Sequence, residues 1–152
     1  MSEPDAVMTR IGHAVELGQR GERQNARQLF AELAEQIGPD GDALHRVALA
    51  HAMADVQDDA RDELAWDLRA LQAADAVTDE RAAQAGVAGP VAGFYPSLHL
   101  NLGEDYRRLG DLPAARRHLE LGQVAAAVLR DDGYSRMIGG GLERLAARLA
   151  DA

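Results

Sequence analysis

Leu98-His99-Leu100-Asn101-Leu102-Gly103-Glu104-Asp105-Tyr106-Arg107-Arg108-Leu109-Gly110-Asp111-Leu112-Pro113-Ala114-Ala115-Arg116-Arg117-His118-Leu119 contains two helices and the turn between them. Leu98, Leu102, Tyr106 and Leu109 recur at steps of 4, 4 and 3, one face of a 3.6-residue helix. Gly110 tolerates the positive φ that ends a helix, and Asp111 is suited to cap the next. Pro113 then falls in a first helical turn, where its missing N–H costs nothing. Ala115, Leu119, Gly122 and Ala126 continue an apolar stripe at the same period, and the small residues in it admit a neighbouring backbone.

Two degenerate copies of this pattern lie upstream. In the first, Leu17-Gly18 precede Gly21 at the turn, and Ala26 and Phe30 follow in the second helix. In the second, Ala48 and His51 stand for Gly103 and Tyr106, Asp55 takes the turn, and Ala60 and Leu64 fill the second helix. Ala26 and Ala60 are 34 residues apart, whereas Ala60 and Ala115 are 55 apart, so 21 extra residues separate the second and third copies.

The pattern Leu102-Gly103-x2-Tyr106 followed by Ala115 resembles the tetratricopeptide repeat (TPR), whose period is 34 residues and whose motif runs W-x2-L-G-x2-Y, A-x3-F, P. His99 replaces the Trp, Leu119 the Phe, and Ala127 the closing Pro. The resemblance implies an all-α fold: antiparallel helix pairs stacked as a short right-handed solenoid, with units at about 7–40, 41–75 and 96–129. Residues 76–95 form an insertion and 134–152 a C-terminal capping helix, all in a single domain over 1–152.

Composition narrows the function. The chain has 152 residues, 47% hydrophobic and only 4% aromatic, so its core is expected to be aliphatic. It has no Cys, which removes disulfides and cysteine-ligated zinc. All 16 basic residues are Arg, as a GC-rich bacterial genome would produce. A net charge of −9 disfavours nucleic acid as a partner. The acidic start Met1-Ser2-Glu3-Pro4-Asp5 does not read as a signal peptide, and no apolar run reaches the ~20 residues of a membrane span, so a cytoplasmic protein with no membrane partner is expected.

Local signals complete the helix map. Ser2 or Asp5 caps a first helix with Pro4 in its first turn, and Val7, Ile11, Ala14 and Leu17 face inward. A second helix over about 22–37 ends at Gly38-Pro39, and Asp40 or Asp42 opens a third. Leu64, Leu68 and Leu71 give the expected core stripe of a fourth, with Trp66 off that stripe. Thr78 caps a short helix through Ala85. The run 86–96 carries three glycines and two prolines and reads as an extended loop, yet Phe94 and Tyr95 make it apolar enough to pack. Gly139-Gly140-Gly141 sits inside the last helix and points to close helix contact, a kink or room for a ligand.

No enzyme constellation emerges. There is no H-E-x-x-H, G-x-S-x-G or P-loop, and His13, His45, His51, His99 and His118 form no i,i+4 pair, so no catalytic residue, cofactor or metal is expected. His51 and His99 read as hydrogen-bonded core residues. The TPR resemblance implies a non-enzymatic module that binds a protein or peptide in a groove lined by first helices. The positions carried over are Ile11, Val15, His45, Leu49, Met53, Leu100, Glu104, Arg107 and Arg108, with further contacts from Phe94, Tyr95 and Trp66. Chaperone-tail binding is not implied: the chain lacks Lys, and only Asn101 matches the clamp, with Arg46 and Gly12 at the other places. Two alternatives stay open, a ligand or signalling-peptide sensor closed by the 86–96 loop, and a homodimer or other homo-oligomeric unit.

Overall fold

Glycines set two of the turns between helices. In the computed structural model, which describes residues 5–87 and 89–152, Gly21 and Gly110 have φ of 87° and 84°, where a side chain would be strained. The two turns share their hydrogen bonds: Glu22 N–H donates to the Leu17 carbonyl and Asp111 N–H to the Tyr106 carbonyl, each at 2.9 Å. Ser2 and Pro4, named above for the first helix, lie outside the described residues. The described residues are all-helical, with neighbouring helices packed in antiparallel pairs, and their contacts cluster into two compact units, Met1–Val87 and Ala88–Ala152. The boundary falls within the Gly- and Pro-bearing run 86–96.

The first unit holds α1 (Ala6–Gln19), α2 (Arg23–Ile37), α3 (Ala43–Asp55), α4 (Ala60–Ala74) and the short α5 (Asp79–Gln84). Asp5 caps α1 by accepting from Val7 and Met8 N–H, and Asp42 caps α3 by accepting from Leu44 N–H at 2.9 Å. Gly38, at φ 75°, ends α2, and Pro39 cannot continue it. Thr78 caps α5 through Arg81 N–H. Phe30 and Leu33 are fully buried in a core with Ile11, Ala26, Leu49 and Met53.

The α3–α4 turn has no glycine. Its carbonyls are met from outside: Arg27 donates to the Val56 carbonyl at 2.7 Å, and Arg23 to those of Asp55 and Gln57 at 3.2 and 3.1 Å. Arginines of α2 thus serve orphan carbonyls at the end of α3.

The α4 stripe is corrected. Asp67, Ala70, Ala73 and Ala74 are buried, whereas Leu68 is 39% exposed and Leu64 and Leu71 are half-buried. The buried face is rotated by about one residue position from the leucines, because alanines let a helix sit closer than leucines do.

The second unit holds a 3₁₀ turn (Val91–Phe94), α6 (Tyr95–Arg108), α7 (Leu112–Ala126) and α8 (Gly133–Ala150). Phe94 closes the 3₁₀ turn and Tyr95 opens α6, so the end of the run 86–96 is helical rather than extended. Pro96 sits in the first turn of α6, where a proline is tolerated.

Helix α8 seats leucines into glycine notches. A Cβ on Gly103 would meet Leu145 Cδ2 at 2.6 Å, and one on Gly122 would meet Leu142 Cδ2 at 2.9 Å. Reciprocally, a Cβ on Gly141 would meet Leu100 Cδ2 at 2.6 Å. Of the three readings of the glycine run, close contact is the one observed, at Gly141; a Cβ on Gly139 would meet nothing within 4 Å.

Candidate functional site

Of the sequence-derived groove residues, Ile11, Val15, His45, Leu49 and Met53 lie in the first unit and Leu100, Glu104, Arg107 and Arg108 in the second. Ile11, Leu49 and Met53 are buried, at 5%, 4% and 4% exposure, and belong to the first core. Their helices pack those faces inward, so Ile11 and Met53 present almost nothing to a partner. Val15 lines a small cavity of about 160 Å³ with Phe30 and Val56.

The charged candidates are bound up locally. His45 Nε2 lies 2.8 Å from Asp5 Oδ2, which also accepts from Arg81 at 3.0 Å. Burial pushes the Asp5 carboxyl up, but hydrogen bonds from His45, Met8 N–H and Arg81 overcome it and hold the pKa at about 2. Arg81 also pairs with Asp42 at 2.8 Å, so α5 is tied to the starts of α1 and α3. In the second unit Glu104 accepts from Arg107 at 3.0 Å and from Arg148 at 2.6 Å, and Arg108 pairs with Asp105 at 3.0 Å. Leu100 is engaged with the Gly141 notch.

Two of the named residues do meet. Leu49 of α3 and Trp66 of α4 line one groove of about 480 Å³ in the first unit. Ala34 and Ile37 at the end of α2, with Gly38 and Pro39, form one wall; Ala50 and Ala73 keep the space open. The turn at Gly38-Pro39 is what redirects the chain along this wall. Trp66, the only Trp, is half-buried and packs against the first core.

Two arginines complete the groove. Arg69, one helical turn after Trp66, holds its guanidinium carbon 4.4 Å from the centroid of the indole, a cation–π contact. Arg46 donates from Nε to the Gly41 carbonyl at 2.9 Å, which fixes its stem. Among the described residues neither guanidinium is in an ion pair, whereas Arg23, Arg27 and Arg81 of the same unit each are. Arg46 and Arg69 were not selected from the sequence as groove residues; the i,i+3 spacing of Trp66 and Arg69 was the available signal.

A second polar feature lies in the second unit. His99 and His118 are buried at 9% and 5% exposure, with Nδ1 atoms 3.0 Å apart. One donates and the other accepts, so the facing nitrogens share one proton. Tyr106 stacks on His118 with ring centroids 5.5 Å apart, and Tyr95 lies 6.2 Å from His99. Burial lowers the His118 pKa to about 4, helped by the nearby His99 and Arg117. The expectation of a core histidine at His99 agrees with this burial; its partner His118 was not foreseen, because nothing in the spacing pairs the two.

No family model, curated protein or solved structure matches the chain. Among the described residues no helix is long and apolar enough to cross a membrane.

Proposed function

We propose that this chain is a non-enzymatic, cytoplasmic peptide-binding module of TPR-like build, and that its binding site is the Trp66 groove of the first unit. The observation that carries the reading is the gathering of the sole Trp, Leu49, Ile37 and two arginines around one groove of about 480 Å³. Ligand sites typically span about 300–1,000 Å³, mostly apolar with a few placed polar groups. Trp and Arg are also the residues on which binding energy concentrates. The packed helix pairs of the first unit provide the scaffold for such a groove.

The test is selection of a random-peptide library on the full chain. Peptides that bind the wild type are expected to be lost by Trp66→Ala, which removes the anchor, and by Gln72→Trp, which fills the groove from an exposed position. Both variants are checked by circular dichroism. Equal retention by wild type and both folded variants sinks the groove assignment.

A further inference from the structure

The geometry points to an acidic peptide as the occupant of this groove: an apolar side chain against Trp66 and Ile37, flanked by Asp or Glu side chains that engage Arg46 and Arg69. This inference rests on the reading of the groove as a peptide site. The apolar floor calls for an apolar anchor, since Ile37, Leu49, Ala50 and Ala73 offer no polar side-chain atom to a buried polar group. The two guanidiniums set the sign of what lies beside it. They come from different helices, Arg46 from α3 and Arg69 from α4. Two acidic side chains can engage both guanidiniums, one bidentate pair at each.

Both arginines are already oriented. Arg69 holds its guanidinium carbon 4.4 Å from the Trp66 ring centroid, and Arg46 donates Nε to the Gly41 carbonyl. Groups held this way lose little further freedom when a carboxylate binds. The sign runs against the chain as a whole, which carries 25 acidic residues against 16 basic ones. A basic peptide drawn in by the overall charge would meet two like charges at the groove itself.

Trp66, being the only Trp, reports on its own site. The full chain is titrated, by fluorescence and by calorimetry, with three peptides built on one leucine. The first has Asp and Glu flanks and both ends blocked. The second has Asn and Gln in their place. The third has the neutral flanks with a free terminal carboxylate. The expected result is that the acidic peptide binds about tenfold tighter than its amide counterpart or more, charge-assisted bonds being the difference. Arg46→Gln together with Arg69→Gln is expected to erase that preference, so that the acidic and amide peptides bind the variant alike. Equal binding of acidic and amide peptides overturns the inference and leaves the peptide site standing. Full affinity restored by the terminal carboxylate alone also overturns it, since the groove then reads a chain end. If no peptide binds by either method, the peptide site itself falls, and the inference with it.

Discussion

The two units are fixed by different means. The first is laced together by polar links between residues far apart in sequence: Asp5 to His45 and Arg81, Arg81 to Asp42, and Arg23 and Arg27 to the α3–α4 turn. The second has the Glu104–Arg148 link between α6 and α8 and, beside it, an interlock of shape: leucines of α8 are set into glycines of α6 and α7, and an imidazole pair lies between tyrosine rings. The first unit also holds the groove beside Trp66.

The comparison is broken most severely by emptying a notch. Leu145 is fully buried and reaches Gly103, so Leu145→Ala is expected to cost about 3–5 kcal/mol, the upper part of the large-to-small range. Urea denaturation of the full chain measures it; a loss below about 1 kcal/mol would mean that α8 is not locked as described.

Acid separates the units next. His118 takes up a proton near 6.5 when unfolded but only near 4 when folded, so the unfolded state binds protons first as pH falls. Its contribution is complete above 6.5 and is lost on descending towards 4. At 1.36 kcal/mol per pH unit that window is worth about 3 kcal/mol. Asp5 behaves oppositely in mechanism: its lowered pKa contributes stability that persists through this window and is lost only as pH falls from 3.8 towards 2. Stability measured from pH 7 to 4 is therefore expected to decline for the wild type and to decline less for a folded His118→Gln variant. Equal slopes would remove His118 from the account.

The smallest effects come from single glycines. Gly110→Ala places a side chain at φ 84° and is expected to cost about 1–2 kcal/mol. Gly139→Ala, inside α8 with open space at its Cβ, is expected to gain about 0.5–1 kcal/mol. Thermal melts of the two variants should move in opposite directions; a shared direction would contradict the backbone assignment.

The helix pairs were readable because their signals are local. Gly110 needs its φ, Asp111 accepts from Ala114 N–H at 3.1 Å, and Pro113 occupies a position without a donor to lose, whatever the rest of the chain does. The α4 stripe was misread because periodicity weights large side chains, while the closely packed face is made of Ala70, Ala73 and Ala74. The groove was half legible. Leu49 and Trp66 each stood out, but their meeting depends on how α3 and α4 pack beside the end of α2, which no spacing along one helix encodes. The pairing of His99 with His118 is tertiary in the same sense.

The borrowed arginines of the α3–α4 turn carry a consequence for cooperativity. The turns at Gly21 and Gly110 close with their own backbone bonds, so each hairpin carries its own lock. The turn after Asp55 completes its hydrogen bonding only when α2 is docked and delivers Arg23 and Arg27. Melting of the first hairpin thereby withdraws support from the second, a nearest-neighbour coupling of the kind that makes stacked helical units fold and unravel in sequence.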